Sequence, residues 1–107
     1  MSYKIKETSR FKKHMRTLPD RLGISKQLAN LIVNEILDAV DILEETGTLS
    51  DDYGYFLHEL DREPWRGFME FHVLDDVLVG YADVSTKNEI RLIGIYNHEL
   101  LSIGKLG

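Results

Sequence analysis

Residues 68–96 read FMEFHVLDDVLVGYADVSTKNEIRLIGIY, and the period of two in this stretch decides the fold class. In the first run Met69, Phe71 and Val73 fall on one face, and Phe68, Glu70, His72 and Leu74 on the other. Asp75-Asp76 makes a tight connection to a second run, Val77 to Val84. Ser85-Thr86-Lys87-Asn88 then leads to a third, Glu89 to Tyr96. Three successive strands with short connections predict an antiparallel meander, and its apolar face must be covered by something.

The cover lies upstream. Leu28, Ile32, Ile36, Val40 and Leu43 recur at spacings near 3.6, widened by Leu31, Leu37 and Ala39, with Gln27, Asn30, Asn34, Asp38, Asp41 and Glu45 as the polar stripe. Ser25 is placed to cap this helix and Gly47 to end it. Further upstream Tyr3 and Ile5 alternate with lysines as in a short strand. Phe11, Met15 and Leu18 follow at helical spacing until Pro19 and Gly23 interrupt. Between Thr48 and Arg66 periodicity fails, with Ser50-Asp51-Asp52 and Glu63-Pro64 as turn signals, and this predicts a loop. The expected class is α+β, with an N-terminal strand and two helices packed on a small antiparallel sheet in the order β-α-α-β-β-β. A chain of 107 residues supports one core, so a single domain over 1–107 is expected.

With 43% hydrophobic and 29% charged residues the composition is that of a globular protein. No apolar run approaches the roughly 20 residues of a membrane span, and the N-terminus lacks a secretory pattern, so a cytoplasmic protein with no membrane association is expected. There are no cysteines, which removes disulfides, zinc ribbons and thiol catalysis. The net charge of −5 argues against a protein that coats nucleic acid. The charge is unevenly placed: residues 1–26 hold eight basic groups against Glu7 and Asp20, a local +6, and the remainder therefore carries −11. Lys12, Lys13 and Arg16 in this basic segment, with Arg66 in the loop, are the candidate RNA contacts.

Three histidines fall around the meander: His58 in the loop before it, His72 on its first strand and His98 after its last. Asp76 follows His72 by four residues. Such a set suits cleavage of RNA by its own 2′-hydroxyl, which needs a base for that proton and an acid for the departing 5′-oxygen. Histidine performs both near neutral pH, and an aspartate can orient an imidazole or itself act as base. No cofactor or metal is required. A metal-dependent hydrolase using these histidines with Glu59 or Glu99 lacks support, since no two histidines stand at the i, i+4 spacing of a helical metal pair. His14, in the basic segment, is expected on a solvated face, and Trp65 is expected to serve packing.

His58-Glu59-Leu60, Trp65-Arg66-Gly67, Phe71-His72-Val73, Asp76, Leu78-Val79-Gly80-Tyr81 and His98-Glu99-Leu100-Leu101 together resemble the YafQ branch of the RelE toxin superfamily. Tyr3-Lys4-Ile5 followed by Phe11-Lys12-Lys13 resembles the family's first strand and basic helix, so the likeness runs over nearly the whole chain. The resemblance implies a RelE-like fold and the toxin of a type II toxin–antitoxin system. It further implies a ribosome-dependent endoribonuclease (an mRNA interferase) that cuts mRNA and forms a hetero-oligomer with a cognate antitoxin. His58, His72, Asp76 and His98 fall at the family's acid/base positions.

Two departures stand out. The branch carries an arginine four residues before the late histidine, where it can stabilise the phosphate of the transition state, and here that position is Gly94. Arg91 is near but differs in strand parity and is expected on the opposite face. The chain is also acidic where ribosome-targeting members are basic. The alternative reading is therefore a catalytically weak or inactive relative that works by binding an antitoxin-like or other protein partner.

Overall fold

The computed structural model describes residues 2–50, 52, 54–61, 63–74 and 76–104. Its elements are β1 (Lys4–Glu7), α1 (Ser9–Arg16), α2 (Leu18–Leu22), α3 (Lys26–Thr46), β2 (His58–Glu59), β3 (Met69–Val73), β4 (Val77–Val84), β5 (Glu89–Tyr96) and α4 (His98–Ser102). Asp51 and Asp75, parts of two expected turns, lie outside the described residues.

The period-two stretch forms the meander β3-β4-β5, paired antiparallel with Phe71 opposite Val79 and Val79 opposite Ile95. One face is apolar as expected: Phe71, Val73, Val79, Tyr81, Ile90, Leu92 and Ile95 join Ile32, Ile36, Ala39 and Leu43 of α3 in one buried cluster. Each fully buried Val, Leu, Ile or Phe among them contributes about 1.5–3 kcal/mol of hydrophobic free energy. α3 begins where Ser25 accepts a hydrogen bond from the Leu28 N–H and ends at Gly47, whose φ of 78° is the left-handed closure that glycine favours. The basic segment splits because Pro19 sits in the first turn of a new helix, leaving α1 and the short α2.

The α+β, RelE-like class holds, and the sheet extends past the meander at both edges. β1 adds to β5 in parallel, Ile5 opposite Ile90, giving the order β1-β5-β4-β3-β2. At the far edge His58 and Glu59, expected in a loop, pair antiparallel with Glu70 and Met69. Among the described residues no helix is long and apolar enough to cross a membrane.

Candidate active site

Side chains directly opposite one another on paired strands share a face. Register therefore places His58 beside Glu70 and Glu70 beside Gly80, all on the face turned away from α3. The neighbouring row runs His72, Leu78, Tyr96. Above these rows Trp65, Leu78 and Tyr96 form a second buried cluster with Leu60, Phe68, Leu100 and Leu101. Trp65 meets the Tyr96 ring edge-on at 4.8 Å and donates its indole N–H to the Leu101 carbonyl at 2.9 Å, which fastens α4 to the sheet. Asn97 caps α4 by accepting from the Leu100 N–H at 2.8 Å, and His98 is the first residue inside it.

The three histidines consequently converge. The rings of His58 and His72 are 5.9 Å apart, as are those of His72 and His98, and all three line one cavity of about 440 Å³ with Asp61, Glu63 and Glu70. Glu70 is buried; its Oε1 accepts from His58 Nε2 at 2.7 Å and lies 3.3 Å from His72 Nε2. The other nitrogen of His58 faces the Phe56 carbonyl at 3.2 Å. The two contacts engage both ring nitrogens of His58.

His98 is held by Asp76, whose Oδ1 accepts from the His98 backbone N–H at 3.1 Å and is hydrogen-bonded to the ring Nδ1. That side-chain bond, then the backbone bond, hold the Asp76 carboxyl below its ordinary range. With Nδ1 committed, Nε2 is the atom of His98 left for chemistry. In the sequence Glu70 shows only as a residue of the His72 face; its pairing with His58 depends on β2, which is too short to show a period.

The other predicted residues lie elsewhere. Lys12, Lys13 and Arg16 are exposed on α1, and none of them lines the cavity. Arg66 is exposed and pairs with Glu63 at 3.1 Å, beside the cavity that Glu63 lines. His14, expected in solvent, is buried. Its Nδ1 accepts from the Ile95 N–H at 2.9 Å, at the edge of β5 that β1 leaves uncovered. Burial first, then the charges of Arg21, Arg10 and Lys13, push its pKa down to about 4.

Arg91 also departs from expectation. Tyr81 pairs with Leu92 but Gly80 with Gly94, so β5 carries one extra residue at a bulge. The extra residue resets parity, and Arg91 and Gly94 share a face after all; Arg91 is engaged with Glu89 at 2.6 Å. At Gly94 a Cβ would lie 2.8 Å from the His14 ring and closer still to the Tyr96 hydroxyl, so the space that an arginine stem needs is filled.

Five strands backed by helices, with this histidine row on the open face, have the fold of the RelE-like toxins. The chain belongs to the YafQ family: the family described as "Bacterial toxin of type II toxin-antitoxin system, YafQ" matches residues 3–102. The fold is similar to that of YafQ from E. coli strain BL21(DE3), with a TM-score of 0.64 and 21% identity over 92% of this chain and 97% of that one. The E. coli DinJ–YafQ toxin–antitoxin complex gives a TM-score of 0.63 at 21% identity, covering 94% and 98%. A copper-bound mutant toxin from Helicobacter pylori gives 0.58 at 23% identity, covering 94% and 99%. Comparison with curated protein sequences finds no match.

Proposed function

We propose that this toxin is a metal-independent endoribonuclease that cleaves mRNA at the ribosome and is held in check by a cognate antitoxin in a hetero-oligomeric complex. The observation that carries the reading is the convergence of His58, His72 and His98 on one cavity, with Glu70 and Asp76 bonded to them. In this mechanism His98 Nε2 removes the 2′-hydroxyl proton, while Asp76 holds the ring and stabilises its charged form. His58, held through Nε2 by Glu70, turns its Nδ1 from the Phe56 carbonyl to the leaving 5′-oxygen and protonates it. His72, between the two, faces the phosphate oxygens and takes the part that the arginine missing at Gly94 would play. Each proton-transfer group supplies roughly 10²–10⁴ in rate. Lys12, Lys13, Arg16 and Arg66 are proposed to steer RNA to the site.

Tightly induced expression of the chain beside His98→Ala, with primer extension on an abundant mRNA, tests the reading. Growth arrest with new cuts in the wild type only is expected. Normal growth and intact mRNA with soluble wild-type protein would overturn the nuclease and favour a catalytically weak or inactive relative that works by binding a protein partner.

One observation favours a second use of the same groups. Donor atoms of His58, Glu70 and His72 lie within 4.8 Å of one another, and two imidazoles with a carboxylate suit zinc or copper. A bound ion would occupy nitrogens that the acid/base mechanism needs, so metal is expected to inhibit cleavage. Calorimetric titration with zinc checks this; absence of binding to the wild type would remove it.

A further inference from the structure

Among the described residues Phe56 is the one Phe, Tyr or Trp that is exposed, at 67%. Its backbone holds a φ of 51°, a left-handed conformation that residues with a Cβ avoid. Strain beneath an exposed apolar side chain points to use. The neighbours fix where the ring stands. Tyr55 turns into the core, where its ring meets Phe71 edge-on at 5.9 Å, and its carbonyl accepts the His72 N–H at 2.6 Å. Leu57 packs against the same core. Phe56 is thereby turned to the histidine face. There its ring meets His72 edge-on at 6.1 Å, and its carbonyl lies 3.2 Å from His58 Nδ1.

The surroundings select what the ring receives. Asp61, Glu63 and Glu70 line the cavity beside it, and among the described residues that lining holds no Lys or Arg. Phosphates find little attraction there, so RNA held at the site needs contacts through its bases. A nucleobase is the flat, uncharged part of RNA, and an exposed aromatic ring binds it by stacking. Position decides which base. In the proposed mechanism His58 protonates the leaving 5′-oxygen through Nδ1, the atom beside the Phe56 carbonyl. That oxygen belongs to the nucleotide on the 3′ side of the cut, and its base is the one carried to the Phe56 ring. The base on the 5′ side shares a ribose with the 2′-hydroxyl that faces His98, and His72 stands between His58 and His98.

We propose that Phe56 is a nucleobase platform: it stacks the base on the 3′ side of the cut and so sets the leaving 5′-oxygen against His58. The inference rests on the nuclease reading and adds a substrate subsite to it. Every base has a flat face, so the platform needs a base at this position without choosing which.

The test uses the full chain on ribosomes holding an empty A site over a short mRNA whose cut position has been mapped. Values of kcat/KM are measured on the intact mRNA, on one lacking the base just 3′ of the cut, and on one lacking the base just 5′ of it. Phe56→Asn and Phe56→Tyr are compared with the wild type. Asparagine accepts the left-handed backbone and the lost ring is exposed, so Phe56→Asn melts no lower than wild type. On intact mRNA Phe56→Asn is expected to lose tenfold or more in kcat/KM, the effect of one base–aromatic stack, while Phe56→Tyr keeps most of the wild-type value. Without the 3′ base the wild type is expected to fall to the level of Phe56→Asn, and the variant to lose nothing further. An equal loss for Phe56→Asn with and without that base would overturn the platform and leave the ring a structural support of His58. Cleavage of intact mRNA by Phe56→Asn within twofold of wild type, or a loss tied to the 5′ base instead, would also overturn it. Those outcomes leave the nuclease reading intact. Failure of the wild type to cut intact mRNA would overturn that reading and the platform with it.

Discussion

His14 makes a quantitative link between acid and stability. Its Nδ1 accepts the Ile95 N–H, so the ring must be neutral there, and protonation removes an acceptor from a buried donor and places a cation near Arg21, Arg10 and Lys13. The folded state holds the pKa at about 4 against an ordinary 6.5. Between these values the unfolded chain binds more protons than the folded one, so stability falls as pH falls. The contribution is fully present above pH 6.5 and lost by about pH 4. At 1.36 kcal/mol per tenfold change in proton affinity, the loss has a ceiling of roughly 3 kcal/mol.

The assay is urea unfolding at a series of pH values from 8 to 4, on wild type and on His14→Gln, whose amide oxygen can accept the same N–H without titrating. The wild type is expected to lose up to about 3 kcal/mol more than the variant over this window. Parallel curves, agreeing within about 0.5 kcal/mol, would refute the neutral buried histidine.

Three further outcomes follow from the site. Gly94→Ala should destabilise by about 1–3 kcal/mol in thermal unfolding, because its Cβ enters the space of His14 and the Tyr96 hydroxyl; Tyr96→Phe should recover part of this loss. Asp76→Asn should cut RNA cleavage by about 10²–10⁴ in kcat. Its effect on stability should stay within about 0.5 kcal/mol, since the side chain is largely exposed. Glu70→Gln should weaken zinc binding measured by calorimetry at least tenfold, by removing the charge among the three donors.

Local patterning in the sequence determined the three meander strands, the long helix and both of its ends, because burial on one face imposes periods of 2 and 3.6 and caps obey local hydrogen bonding. The alternation also put Glu70 and His72 on the face opposite Phe71 and Val73, and the order of His58, His72, Asp76 and His98 marked the candidate site. What only the tertiary structure decided involves contacts between distant segments. Pairing of β2 with β3 brings Glu70 to His58, and two residues are too few to show a period. The same pairing assembles a donor set for metal from two strands, which helical spacing rules do not cover. His14 is buried because β1 stops short and leaves an edge N–H of β5 for it to accept. Arg91 turns to the face of Gly94 because one extra residue at the bulge shifts the register, and parity counted along a strand is valid only while the ladder is unbroken.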